Sequence, residues 1–380
     1  VQIPGAKAAA QKEWDRLLEK KTWRMPEKPE DVEFYDQVIR KSKATGRPIH
    51  LGRLFDIGVL KGSELHEGHV NRKYKGRVVF GGNNVQDEYG SAAAFPEAGS
   101  GASYASASKL LDAIALFPGN VGQQSDAPAA YTQAEMYEED IEGHETPTYV
   151  QLPEWQWNEA MKEAHRRTGR RPVCRLLRSL YGHPTAGLFW ERKYKQVLRA
   201  AGFKEMIGWE CLFVHETWQV MLSVYVDDFK MAGTEKGVAR AWKAIRGPDK
   251  LILDDPSPFG PYLGCEQEVS TMKRSEASER VQNIYPLVNG GQSAPAPRKP
   301  DEEIKKIRWH MKDFHSQCLD RYKELRTQNG ASTKLKDYAF PSIDDHQIPP
   351  EEFEEQGVLS KDAAKVVMKC LYGARFVRFD

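Results

Sequence analysis

The feature that most constrains this chain is an apolar hairpin with two acidic residues at its tip. Residues 219–225 and 229–232 read as paired strands, and Val226-Asp227-Asp228 supplies the tight turn between them. Adjacent carboxylates repel each other and attract a counter-cation, so they are costly to keep in one turn. Aspartate is also common in turns, because its side chain bonds to its own backbone. The hairpin alone therefore leaves a cation site and an ordinary turn both open.

A third carboxylate upstream favours the cation site. Asp126 follows a short strand pattern and is itself followed by Tyr131. Three aspartates from neighbouring strands are the hard oxygen ligands that suit a pair of Mg²⁺ ions about 3.5–4 Å apart, as in a polymerase palm. An aromatic side chain beside the first aspartate can close off the 2′ position of a nucleotide sugar. A buried core aromatic is the alternative interpretation of Tyr131.

The charge of the chain is nearly balanced but unevenly distributed. The 380 residues carry 55 Lys and Arg against 54 Asp and Glu, which is a weak signal for a nucleic-acid enzyme. Residues 161–204 are strongly basic, with only Glu163 and Glu191 opposing the cations. The basic residues there are Lys162, Arg166, Arg167, Arg170, Arg171, Arg175, Arg178, Arg192, Lys193, Lys195, Arg199 and Lys204. This stretch could bind a phosphate backbone or form a solvated helix face.

Composition excludes several other classes of protein. Five scattered cysteines without a C-x-x-C pair indicate neither a disulfide framework nor a zinc knuckle, and they favour a reducing compartment. No run of about 18 apolar residues occurs, so we expect no membrane span. The start lacks both Met and an apolar signal core, and we expect an internal piece of a longer protein.

Periodicity and turn residues predict the main elements. Trp14, Leu17 and Leu18 should share the apolar face of the first helix. The expected helices are 8–21, 102–117, 187–201, 236–245 and 301–326, and the expected strand before the hairpin is 73–80. Residues 89–101 and 287–300 are rich in Gly, Ala, Ser or Pro and should be linkers.

Eight sequence blocks, in order along the chain, carry a family resemblance. They are Glu13-Trp14-Asp15 with Lys21-Thr22-Trp23, Lys75-Gly76-Arg77-Val78-Val79, Asp126 to Thr132, Thr148 to Pro153, Val173 to Gly182 with Trp190, Leu212-Phe213-Val214 before Tyr225-Val226-Asp227-Asp228, Tyr262-Leu263-Gly264, and Leu371 to Asp380. Together they resemble the reverse transcriptase domain of copia-type retrotransposons, an RNA-directed DNA polymerase. The resemblance covers residues 11–270 and the last part of the chain.

The resemblance implies an α/β (α+β) polymerase fold with palm and fingers. An antiparallel palm sheet should be backed by helices, and the C-terminal region should be helical and resemble a thumb or connection. The expected regions are 1–45, a helical lead-in; 46–270, fingers and palm; 271–300, a Gly/Pro linker; and 301–380, the thumb-like region, truncated at its C-terminal end. The helix expected over 301–326 would close on the duplex.

The same resemblance implies a set of site residues. Asp126, Asp227 and Asp228 would be the catalytic carboxylates and would hold two Mg²⁺ ions, with Mn²⁺ as a substitute. The nucleotide-binding residues would be Lys73, Lys75 and Arg77 at the triphosphate, Tyr131 as the gate at the sugar, and Tyr181 with Gly182 beside the nucleotide and template. For the two lysines and Arg77, an exposed strand edge defended by charge is the alternative.

The implied function is transfer of deoxynucleotides to a primer 3′-hydroxyl on an RNA or DNA template. The alternatives are a catalytically decayed copy that binds nucleic acid or a protein partner, and an interaction protein in which the hairpin is only a turn. We expect no membrane partner, a parent polyprotein with integrase and RNase H regions, and location in cytoplasmic element particles or the nucleus.

The chain also departs from the family pattern. Ala127 and Pro128 follow the first aspartate, and the proline must end the strand or form a bulge there. Residues 183–189 replace another family segment, so no template contacts are assigned to them.

Overall fold

The computed structural model describes residues 3–61, 68–70, 72–95, 101–136, 146–294, 303–335 and 345–377, and it shows a mixed α/β protein. The helices are α1 Pro4–Glu19, α2 Tyr35–Thr45, α3 Ala105–Ala115, α4 Ala130–Gln133, α5 Glu159–Thr168, α6 Ala186–Ala200, α7 Glu235–Ile245, α8 Arg274–Val288, α9 Phe314–Gln328, α10 Pro350–Glu354 and α11 Ala363–Phe376. Short 3₁₀ turns lie at Pro29–Asp31, Glu154–Gln156 and Asp345–Gln347.

The strands are β1 Glu33–Phe34, β2 His50–Lys61, β3 Lys73–Phe80, β4 Asn120–Asp126, β5 Thr148–Gln151, β6 Pro172–Arg175, β7 Lys204–Glu205, β8 Leu212–His215, β9 Val220–Tyr225, β10 Asp228–Thr234, β11 Ser257–Pro258, β12 Glu266–Lys273 and β13 Glu303–His310. The chain divides into two compact units. The first contains Val1–Ser103 and Ser125–Pro256, and the second contains Tyr104–Gln124 and Ser257–Asp380.

One sheet of the first unit has the strand order β1-β6-β5-β2-β3, with β2 and β5 parallel and the other pairs antiparallel. Helix α1 packs on β3, and its side chains Trp14 and Leu17 are buried there. The approach is so close that a Cβ added to Gly76 would lie 2.5 Å from the backbone of α1. Glycine at position 76 is therefore what allows helix and strand to meet.

The other sheet of the first unit is the antiparallel ladder β7-β8-β9-β10, with the end of β4 beside β10. Helix α6 covers one face of it. Phe229 of β10 lies with its ring centroid 6.3 Å from that of Trp190 and 6.1 Å from that of Tyr194, both of which are buried. These aromatic contacts anchor the hairpin that carries the acidic pair.

The second unit is built around the antiparallel pair β12–β13. Its small core contains Cys265, Met311 and Phe376, and helices α9 and α11 pack against each other. In α3, Asp112 accepts a hydrogen bond of 2.8 Å from the indole of Trp309 in β13.

The helix predicted over 301–326 is wrong in its first half. Glu303–His310 is a strand paired along its full length with β12, and the helix begins only at Phe314. Ile304 and Ile307 are β-branched and therefore suit a strand, and Ile307 and Trp309 lie two positions apart on one of its faces. The C-terminal region is consequently mixed α/β within the described residues, and not purely helical as expected.

The linker predicted over 271–300 is also wrong where the structure describes it. Strand β12 runs to Lys273 and α8 follows directly as far as Val288, because residues 274–285 contain no glycine or proline. Residues 295–300 lie outside the described residues. Leu18 differs as well, since its side chain is 43% exposed while that of Leu17 is fully buried.

The other expected elements are confirmed, with small shifts at their ends. The helices expected over 8–21, 102–117, 187–201 and 236–245 correspond to α1, α3, α6 and α7, and the expected strand 73–80 is β3. The hairpin of the acidic pair is β9–β10. In the part of the chain that the structure describes, no helix has both the length and the apolar character needed to cross a bilayer.

Leu17 and Leu18 offer a matched test of how α1 packs. Leu17→Ala should lower the free energy of unfolding by about 2–5 kcal/mol, because it leaves a cavity against the first sheet. Leu18→Ala should lower it by less than about 1 kcal/mol, since Leu18 is 43% exposed and its removal leaves no buried cavity. Urea unfolding followed by tryptophan fluorescence measures both. Equal losses would mean that α1 does not pack as described.

Candidate active site

The acidic pair lies at the tip of the β9–β10 hairpin. Tyr225 pairs with Asp228, which leaves Val226 and Asp227 as the two loop residues. Val226 has φ of 57°, a left-handed conformation that is strained for a β-branched residue. Its carbonyl accepts a hydrogen bond of 2.6 Å from the indole N–H of Trp190. Trp190 of α6 therefore holds the strained turn in place.

Asp126 is the last residue of β4 and stands directly beside this turn. The N–H of Ala127 donates a 2.7 Å hydrogen bond to the carbonyl of Asp227, so the two acidic segments touch through their backbones. The carbonyl of Asp126 accepts a 2.9 Å bond from the N–H of Asp254. The strand ends at Asp126, before Pro128, as the sequence predicted. The structure thus brings all three predicted carboxylate residues to one place.

The carboxylates are electrostatically coupled. Burial raises the pKa of Asp228 to about 7, and the charges of Asp227 and Asp126, together with a hydrogen bond to the Asp126 side chain, act in the same direction. The direct side-chain contact of Asp126 is therefore with Asp228, the second residue of the pair. Mutual repulsion of this kind is relieved either by a proton or by a cation.

The chemistry of these residues fits a divalent metal. Carboxylate oxygens are the ligands that Mg²⁺ prefers, and a cation would neutralise the crowded charge at Asp228. However, no group of three or more His, Cys, Asp or Glu side chains is arranged to hold an ion within the described ranges. Asp126 and Asp228 share a hydrogen bond, whereas Asp227 also acts on the rings of two tyrosines. The three acidic residues are therefore neighbours, and Asp228 contacts Asp126 directly.

The predicted gate residue lies against the predicted nucleotide residue. The rings of Tyr131 and Tyr181 meet edge to face with centroids 4.6 Å apart, and the guanidinium of Arg77 lies 5.4 Å from the Tyr181 ring centroid. Burial raises the pKa of both phenols, and the nearby Asp227 carboxylate raises both further. Acidic residues, aromatic rings and Arg77 therefore form one contiguous group, which we call the aromatic gate site.

Gly182 has a clear backbone role in this site. It adopts φ of 88°, and a Cβ there would lie 2.2 Å from the carbonyl oxygen of Phe80. The N–H of Phe80 donates a 2.7 Å bond to the carbonyl of Tyr181. Glycine thus lets the end of β3 cross the Tyr181 turn, and this crossing places Arg77 beside the Tyr181 ring.

Lys73 and Lys75 lie on the same face of β3 as Arg77, opposite the face that packs on α1, and all three side chains are exposed. Strand β3 is also the edge of its sheet, so charge that defends an edge remains a valid alternative for the two lysines. Arg77 is distinguished from them by its contact with Tyr181.

The basic stretch 161–204 does not form one cationic surface. Six of its members form ion pairs with carboxylates among the described residues, as expected for a solvated face. These pairs are Lys162 with Glu159, Arg167 with Glu163, Arg170 with Asp36, Arg178 with Glu135, Lys195 with both Glu191 and Glu205, and Lys204 with Glu216. Arg178 also lines a cavity near α4, together with Lys193.

Two features of the site were missed at the sequence level. The clamp of Trp190 on Val226 joins residues far apart in the chain, and the only signal was the Trp in a family block. His183, in the segment that departs from the family, is buried among aromatic rings including Phe80 and Phe189. Burial lowers its pKa to about 3, with His50 adding to the effect, so the imidazole is a neutral core group.

The pKa of Asp228 predicts a pH-dependent stability. Because the folded-state pKa of Asp228 is raised, folding favours the protonated carboxyl group. The free energy of unfolding should therefore be greatest at acidic pH. It should fall as the pH rises from about 4 through about 7. Asp228→Asn should remove this loss and exceed the parent in unfolding free energy at pH 8 by about 1–3 kcal/mol. Urea unfolding between pH 4.5 and 8 measures the difference. A constant difference across this range would contradict the coupling.

Comparison with known proteins agrees with this geometry. No curated protein matches the chain. A family model described as reverse transcriptase (RNA-dependent DNA polymerase) matches residues 61–278, a range that contains all of the residues of the aromatic gate site. The chain therefore belongs to the reverse transcriptase family, the RNA-dependent DNA polymerases.

Proposed function

We propose that this chain is the polymerase domain of a copia-type retrotransposon and adds deoxynucleotides to a primer on an RNA or DNA template. The observation that carries the proposal is the backbone contact between Ala127 and Asp227, which joins the two acidic segments within a chain of this family. In this proposal the β9–β10 sheet with α6 and α7 is the palm, and the sheet containing β2 and β3 belongs to the fingers.

Asp126, Asp227 and Asp228 would hold the metal ions. When bound, two Mg²⁺ ions would supply activation of the primer 3′-hydroxyl and neutralisation of triphosphate charge. The carboxylates must be ionised to act as ligands, so the proton favoured at Asp228 would have to leave. Trp190 and the backbone contact of Ala127 keep the acidic segments together before substrate arrives, which is the preorganisation that such catalysis needs.

The aromatic gate site would bind the nucleotide. Tyr131 would face the sugar, supported edge-on by Tyr181, and Arg77 would meet the triphosphate. A planar guanidinium suits phosphate oxygens because it can donate two parallel hydrogen bonds. The substrates would therefore be deoxynucleoside triphosphates and a primed template. We place the activity in element particles of the cytoplasm or in the nucleus.

Removal of one carboxylate should abolish polymerisation. Asp227→Asn should lower primer extension on an RNA template with Mg²⁺ by about 1,000-fold or more, because a metal ligand contributes several kcal/mol at the transition state. Asp31→Asn is the matched control, since it removes an exposed carboxylate outside the site. Equal activity of the two variants would contradict the proposal. A silent parent that still binds oligonucleotides in a salt-dependent way would be a decayed copy.

The gate can be tested through sugar selection. Tyr131→Ala should lower the preference for deoxynucleotides over ribonucleotides by about 10–200-fold, since the steric block at the 2′ position is lost. Tyr131→Phe, which keeps the ring, should retain the preference. The measurement is kcat/KM for each nucleotide in single-nucleotide extension. An unchanged ratio in the alanine variant would show that Tyr131 is only a core aromatic.

A further inference from the structure

A cavity of about 490 Å³ lies behind α4, entirely within the first unit. Four cationic side chains line it, against only two carboxylates. The cations are Lys20, Arg178, Lys193 and Lys250, and the carboxylates are Glu135 and Asp249. For a protein whose net charge is only +1, this is a local concentration of positive charge.

The three lysines of this cavity form no ion pair with a described residue. Among the described residues, neither Lys20, Lys193 nor Lys250 forms an ion pair, whereas Arg178 pairs with Glu135 at 2.9 Å. The ammonium of half-buried Lys20 donates to the hydroxyl of Thr132, at 3.3 Å. Burial lowers the pKa of Lys20 and repulsion from Arg16 and Arg178 lowers it further, while the Glu13 carboxylate raises it in part. Cations held together in this way favour a bound anion.

The walls of the cavity are fixed by hydrogen bonds. The Gln133 side chain donates to the carbonyl of Ile252 at 2.8 Å and accepts from its N–H at 2.9 Å. On the opposite side, Arg178 donates to the carbonyl of Lys20 at 3.0 Å. Helix α4 contacts both sides, through Thr132 to Lys20 and through Gln133 to Ile252. The fold itself therefore positions the cations around the cavity.

The cavity is connected to the aromatic gate site by charge. Helix α4 carries Tyr131 towards Tyr181 and carries Thr132 and Gln133 into the cavity. Arg16 acts electrostatically on both Tyr181 and Lys20. The gate and the cavity therefore share the short helix α4 and lie within the electrostatic influence of the same Arg16 side chain.

We propose that this cavity, formed by Lys20, Arg178, Lys193 and Lys250, is a second phosphate-binding site that takes two or more consecutive phosphates. Their source is either the backbone of a nucleic-acid strand leaving the gate or a free polyphosphate. The inference deepens the proposed function, on which it rests for the identity of the strand. Phosphate binding itself does not require catalysis.

The test is the binding of a fluorescein-labelled single-stranded oligonucleotide, measured by anisotropy with chelator present and at several salt concentrations. The cavity variant is Lys20→Gln with Lys193→Gln and Lys250→Gln. The control variant is Lys7→Gln with Lys41→Gln and Lys236→Gln, which removes the same charge from exposed positions elsewhere in the same unit. Thermal melting checks folding. The pair Lys193→Gln with Lys250→Gln avoids the half-buried Lys20.

We expect the cavity variant to bind about tenfold more weakly, and the slope of log affinity against log salt to fall by about 2, at about 0.7 for each lost phosphate contact. The control should weaken by less than about threefold. Inorganic tripolyphosphate that displaces the oligonucleotide from the parent identifies a site for any phosphate chain. Failure of tripolyphosphate to compete, with the cavity effect intact, identifies a strand backbone.

Equal weakening in the cavity and control variants, or an unchanged salt slope, overturns the inference. Primer extension is measured separately, so the two proposals can fail independently. If the parent extends primers and the cavity variant binds like the control, the polymerase proposal stands and the phosphate site is overturned. If the parent does not extend primers but the cavity variant alone loses binding, the phosphate site stands and the polymerase proposal does not.

Discussion

The hydrogen bond from Ala127 to the carbonyl of Asp227 is the contact on which the candidate site depends. This backbone hydrogen bond joins the end of β4 to the β9–β10 turn, which is remote from it in sequence. A backbone bond of 2.7 Å tolerates little displacement, so the acidic residues on either side must stay neighbours. Burial raises the pKa of Asp228, and repulsion between these side chains raises it further.

The turn itself is strained and is held by packing. A valine at φ of 57° costs about 1–3 kcal/mol. That cost is offset by the Trp190 hydrogen bond and by the aromatic contacts of Phe229 beneath the turn. Helix α6 is therefore more than a cover for the sheet, because its buried tryptophan determines where Asp227 lies. Strain next to a cluster of carboxylates is typical of a functional site.

Close backbone approaches organise the nucleotide side in the same way. Gly76 lets α1 lie on β3, and Gly182 lets β3 cross the Tyr181 turn. As a result Arg77 reaches the Tyr181 ring, and Tyr181 supports Tyr131. Behind the same short helix, the three lysines of the cavity, which form no ion pair with a described residue, add further positive charge. The aromatic gate site and the cavity both contact the short helix α4, the first through Tyr131 and the second through Thr132 and Gln133.

The sequence by itself determined the local elements and the identity of the acidic residues. Periodicity is a property of near neighbours, so α1, α3, α6, α7, β3 and the acidic hairpin could all be predicted from it. The resemblance to the family, carried by short blocks of sequence, predicted the three aspartates, Tyr131 and Tyr181 as site residues. Local pattern failed where pairing with a distant strand decided the outcome, as at β13, whose partner β12 turned an expected helix into a strand.

Only the tertiary structure decided how those residues meet. It determined that Asp126 contacts Asp228, that Trp190 holds Val226, and that half of the basic residues of 161–204 form ion pairs among the described residues. It also collected Lys20, Lys193 and Lys250, which are remote in sequence, around one cavity. The physical reason is that charge and hydrogen bonding act over a few ångströms of space, whatever the separation along the chain.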